Sequence, residues 1–168
     1  MAWRSLIRDV TFAGSLGLGA DLVCQTLEGR ENFDKRRAAA VSIFTGAYVG
    51  GVCSYVYSMY PSLAVRLLQN PCRRQVGVVG SVTDNAVHVP ALYIPSYFMT
   101  VGLMSGETLE QSVSALKSQW WSTTSTCWCF WIPVMTCNFA LVPVTHQVRV
   151  VAAANFCWTI ALDYFTHQ

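Results

Sequence analysis

The sequence predicts an all-α integral membrane bundle of four transmembrane spans, with an amphipathic connector helix and a C-terminal helix. Three observations predict it. Only 12% of the 168 residues are charged, about half the share usual in soluble domains, while 53% are hydrophobic and the mean hydropathy is +0.37. Uncharged stretches long enough to cross a hydrocarbon core of roughly 30 Å recur along the chain. Basic and aromatic residues gather at their ends, as anchors at a membrane surface do. At this length one transmembrane domain covering residues 1–168 is expected.

The first span runs from Val10 to Leu27 and is apolar except for Asp21 and Gln25. The second, Ala38 to Tyr60, has no charge at all and as a helix would measure about 34 Å. Lys35, Arg36 and Arg37 precede it, and Tyr55, Tyr57, Tyr60 and Pro61 mark its far end. The third, Val76 to Ser105, carries Asp84, Asn85 and His88 in an otherwise apolar run, and Pro90 and Pro95 kink it. From Gly106 to Gln119, Leu109, Val113 and Leu116 recur at helical spacing, with Glu107 and Glu110 early and Lys117 late, which suits the helix dipole. This is the amphipathic connector. Beyond Lys117 no charge appears until Arg149, a stretch too long for one crossing. Pro143, followed by Thr145, His146 and Gln147, is the expected break, leaving a shorter helix that carries Trp158 and ends near Tyr164. Trp120, Trp121, Trp128 and Trp131 are expected as interfacial anchors. Basic residues divide evenly between alternate connectors, so they give no orientation.

A near-balanced net charge of +2 argues against a nucleic-acid partner. The seven cysteines are odd in number and scattered, which is not a disulfide framework. Catalytic signatures such as GxSxG, HExxH and phosphate-binding glycine loops do not occur. Cys127 and Cys129 lack zinc spacing, and Asp84 with His88 has no third ligand in view. The chain therefore reads as non-enzymatic, with no cofactor, no metal and membrane lipids as its surroundings.

A carboxylate at mid-bilayer costs about 2.5 to 3.5 kcal/mol on insertion scales, so Asp21 and Asp84 should face protein or water. Gly14, Gly17, Asp21 and Gln25 share one helical stripe, and Asp84, His88, Ala91 and Pro95 share another. Two roles suit such polar interiors, to which Asn138 and Arg149 also belong. The groups either bond helices together, with His88 and Arg149 as partners for the carboxylates, or line a path for a solute or proton. Gly46, Gly50 and Gly51 form a small-residue face that suits close packing between helices of this chain. The Val142–Pro143 turn should lie at an interface, with Arg149 near headgroups or paired with a carboxylate.

These residues resemble the Mpv-seventeen / peroxisomal-membrane-protein-twenty-two family of small multi-span proteins. Gly19-Ala20-Asp21 with Gln25 is similar to its first-span signature, and Asp34, Arg36 and Arg37 to the entry of its second. Asp84-Asn85 and Pro90 resemble its third span. Trp131, Pro133, Asn138-Phe139, Val142-Pro143 and Trp158 keep the spacing of its C-terminal signature. The chain departs from the family pattern at Gly51, Ser54, Val56, Met135, Gln147 and Thr159. The resemblance implies a place in the mitochondrial inner membrane, or else the peroxisomal membrane, and a channel-like role in passing small solutes or ions. The departures suit a second expectation, an accessory subunit or lipid-binding scaffold packed against other subunits of a mitochondrial membrane complex.

Overall fold

The computed structural model describes residues 3–29 and 32–166, with side chains through Trp158. Arg30 and the side chains of Thr159 and Tyr164 therefore lie outside the described residues. Five helices follow one another among them: α1 Trp3–Leu27, α2 Lys35–Leu68, α3 Arg73–Ser105, α4 Leu109–Leu141 and α5 Val144–Thr166. The first three are long and apolar enough to cross a membrane. Bulky apolar residues such as Leu18, Leu22, Ile43, Val82 and Val87 stand exposed along them, which in a bilayer is contact with lipid rather than water.

Helix boundaries follow local chemistry. Asp34 caps α2, its carboxylate accepting from the Arg36 and Arg37 backbone N–H groups at 3.0 and 2.9 Å. Gly106, at φ 104°, ends α3 in the left-handed region that a side chain would strain. Thr108 and Gln111 then form a reciprocal capping box that starts α4. Several boundaries differ from those expected: α1 already begins at Trp3, and α2 runs through Pro61 to Leu68 rather than ending at Tyr60. The amphipathic connector is not a separate helix but the first turns of α4, because nothing between Lys117 and Trp120 interrupts the hydrogen-bond ladder. At Val142 the backbone becomes extended (φ −88°, ψ 133°), and Pro143 separates α4 from α5 as expected.

Two helices change pitch. α2 is π-helical over Thr45–Val52 and α3 over Asp84–Tyr93. In α3 the cause is visible. A proline ring collides with the carbonyl four residues back in an α-helix, and widening the turn around Pro90 relieves the collision.

The chain forms two compact units, residues 1–54 with 148–168 and residues 55–147. In the first, α1 and the opening half of α2 run antiparallel at close range. A Cβ at Gly50 would stand 2.5 Å from the Val10 Cα, and one at Gly17 would stand 2.7 Å from the Thr45 hydroxyl oxygen. The Ser42 hydroxyl donates to the Gly14 carbonyl at 2.9 Å. Gly46 and Gly50 thus lie close against α1. Gly51 does not: nothing lies within 4 Å of where its Cβ would be, since one residue on from Gly50 it is turned away from the contact face. In the second unit α3 and α4 are the antiparallel pair, with Gly77 against Ala140 and Gly80 against Phe139.

Candidate functional site

Polar side chains are buried in both units, and their partners differ. In the first, Asp21 is 2% exposed. Its Oδ1 lies 2.9 Å from Arg37 Nε, and its Oδ2 accepts from Gln25 Nε2 at 2.6 Å. Arg37 also grips Glu28, its Nη1 standing 2.7 and 2.9 Å from the two carboxylate oxygens. Gln25 completes the set by accepting from the Asp34 backbone N–H at 2.6 Å. This network bonds the end of α1 to the start of α2, with one guanidinium shared between two carboxylates.

A second ion pair in this unit joins α1 to α5. Asp9, 4% exposed, accepts from Arg149 Nε at 3.1 Å. Arg149 is therefore paired with a carboxylate, as expected, but its partner is neither Asp21 nor Asp84. Asp21 is already matched by Arg37 a short connector away. Asp9 carried no signal of its own in the sequence, since 140 residues separate the two groups.

In the second unit Asp84 is 2% and His88 5% exposed. Asp84 Oδ1 accepts from the Tyr60 hydroxyl at 2.8 Å and lies 2.8 Å from His88 Nδ1. No guanidinium or ammonium pairs with Asp84 among the described residues. Tyr60 and Tyr57 each meet the Phe139 ring edge to face at 5.0 Å. Asn85 donates to the Ser81 carbonyl at 2.9 Å, and Asn138 donates to the Gln147 carbonyl over a long 3.4 Å. The amide oxygens of Asn85, Asn138 and Gln147 are buried without a hydrogen-bond partner among the described residues.

Trp120 and Trp128 do more than anchor at an interface. In the π register, the carbonyl five residues before a proline finds no N–H to accept. Pro90 leaves the Asn85 carbonyl unclaimed, and Trp128 Nε1 donates to it at 2.8 Å. Pro95 leaves the Pro90 carbonyl, and Trp120 Nε1 donates there at 2.9 Å. The two indoles, two helical turns apart on α4, thus satisfy the backbone groups that two prolines on α3 set free.

The remaining signature residues have mixed placements. Phe139 is buried and Trp131 half-buried with its ring 5.1 Å from Phe130, while Pro133 is exposed on α4. Pro143 makes the turn, and Trp158 is half-buried on α5. Tyr60, Asp9, Arg37 and Gln147 are the participants that sequence reasoning did not single out as interior groups. Of these only Arg37 and Tyr60 had a recognisable place, as members of the basic and aromatic anchors.

Helices of membrane-spanning length, apolar outer faces and buried polar networks define an integral membrane α-helical protein. A model of the Mpv17 / PMP22 family matches residues 102–163. The chain is 30% identical to Protein SYM1 of Eremothecium gossypii over 150 residues, 88% of this chain and 81% of that one. It is 24% identical to Protein SYM1 of Saccharomyces cerevisiae over 96% of this chain and 83% of that one. To the mitochondrial inner membrane protein Mpv17 of Danio rerio it is 23% identical, over 96% and 88%. The chain belongs to the Mpv17 / PMP22 family, and its compartment is the mitochondrial inner membrane. The Danio rerio relative carries the name of a membrane protein, and none of these three the name of an enzyme. No solved structure matches the chain.

Proposed function

We propose that the protein is a non-enzymatic, channel-like component of the mitochondrial inner membrane that passes small solutes or ions, with residues 55–147 as the conducting unit. The observation that carries this reading is Asp84. A buried carboxylate in a membrane protein is normally balanced by a cation, as Asp21 and Asp9 are. Among the described residues Asp84 is held by a hydroxyl and an imidazole and by no guanidinium or ammonium, and its unit has amide oxygens with unmet bonding capacity. Such groups suit transient contacts with a passing polar species better than permanent bracing. The test is flux of small solutes and ions across liposomes containing the purified chain. Transport that Asp84→Asn abolishes supports the proposal. Absence of any flux, or flux indifferent to that change, removes it.

A second reading, an accessory subunit of a larger membrane assembly, draws on Gly51. It leaves open space on α2 beside exposed Val52, a surface on which another helix could lie. Mild detergent extraction and native electrophoresis at endogenous expression test it, and a lone small species would count against it.

A further inference from the structure

We propose that a cavity within residues 55–147 binds a small organic anion with a ring-sized apolar body. This deepens the channel reading, on which it rests, by naming the class of solute that the conducting unit recognises. The cavity measures about 180 Å³ and lies beside the first turn of α3 and the last turn of α4. Its walls are largely aromatic and aliphatic, from Tyr57, Tyr60, Val76, Phe139 and Val142. An engineered apolar cavity of about 150 Å³ accepts benzene, so this one suits a body of ring size and is too small for a long acyl chain.

The charge in its lining has one sign. Arg73 is the lining cation, and no carboxylate lines the cavity. Arg73 donates to the Leu141 carbonyl at 2.7 Å and has no carboxylate partner among the described residues. A guanidinium has five donors, and the one bond of the exposed Arg73 to a carbonyl leaves others able to meet an anion at the cavity mouth. Arg73 also opens α3, where the helix dipole adds further positive potential. An anion gains from both, and the apolar walls select against ions that are hydrated all round.

Binding to the purified full chain in non-ionic detergent tests this, using benzoate, benzyl alcohol and benzylammonium as probes of one shape and three charges. Saturable benzoate binding is expected, at least about tenfold tighter than either of the others. Arg73→Gln should erase that advantage, and Arg73→Lys should keep most of it. Val76→Phe, which fills the cavity, should remove saturable binding of all three probes. Benzoate binding no tighter than benzyl alcohol would overturn the inference. So would a benzoate affinity unchanged in Arg73→Gln, or binding unaffected by Val76→Phe. Solute flux in liposomes is a separate readout. Flux without benzoate selectivity defeats this inference alone, and benzoate binding without flux defeats the channel reading.

Discussion

The two units of this protein bury carboxylates in different company. In residues 1–54 with 148–168, Asp21 and Asp9 each face a guanidinium. In residues 55–147, Asp84 faces Tyr60 and His88. A desolvated ion pair is costly to break and has little freedom to rearrange, so the first arrangement acts as a clamp between helices. The second holds its carboxylate with a hydroxyl and an imidazole, in a unit that also contains amide oxygens without partners among the described residues. On this contrast rests the proposal of bracing in one unit and passage of polar species in the other.

The largest effect that would break this comparison belongs to the clamp. Arg37→Gln leaves Asp21 without its cation and Glu28 without its bidentate partner. Unfolding in detergent should show a loss of about 3 kcal/mol, the low end for a broken buried pair because the Arg37 side chain is 27% exposed. A loss no greater than that of a surface substitution would mean that the network is not a brace.

Glycine packing in the same unit comes next. Gly50→Ala places a methyl group against the Val10 backbone, which cannot yield as a side chain can, so α1 and α2 must separate at a cost of about 2 kcal/mol. Gly51→Ala, one residue on, meets open space and should instead stabilise by about 0.5 kcal/mol through lower backbone entropy. Equal effects at the two positions would contradict the packing of α1 on α2.

In the other unit, Trp128→Phe keeps the ring but leaves the Asn85 carbonyl without its donor, at about 1 to 2 kcal/mol. Amide hydrogen exchange within Asp84–Tyr93 should accelerate in that variant and stay unchanged in Arg37→Gln. Acceleration in both would erase the distinction between the units.

Much of this was legible in the sequence, for reasons that differ between residues. The helices follow from uncharged length, and the break at Pro143 from the missing N–H and the ring. Asp21 and Asp84 are interior because lipid would not tolerate them. The partner of Arg149 was not legible, since Asp9 lies on another helix and no local spacing links them. The roles of Trp120 and Trp128 were hidden for a related reason. Which carbonyl a proline orphans depends on whether the turn is α or π, and that register has no sequence signature beyond the proline itself. Gly51 continues the glycine run in sequence, but its direction differs from that of Gly50 by about a quarter turn, so it leaves the contact face.

The central claim is that Asp84 serves passage and Asp21 serves structure. Liposome flux and thermal unfolding of Asp84→Asn and Asp21→Asn, measured in parallel, test it most directly. Asparagine can still accept from Tyr60, so Asp84→Asn should change stability by less than about 1 kcal/mol and abolish flux. Asp21→Asn should lower stability by more than that, with flux retained per folded molecule. Wild-type flux from Asp84→Asn, in protein as stable as the parent, would contradict the account.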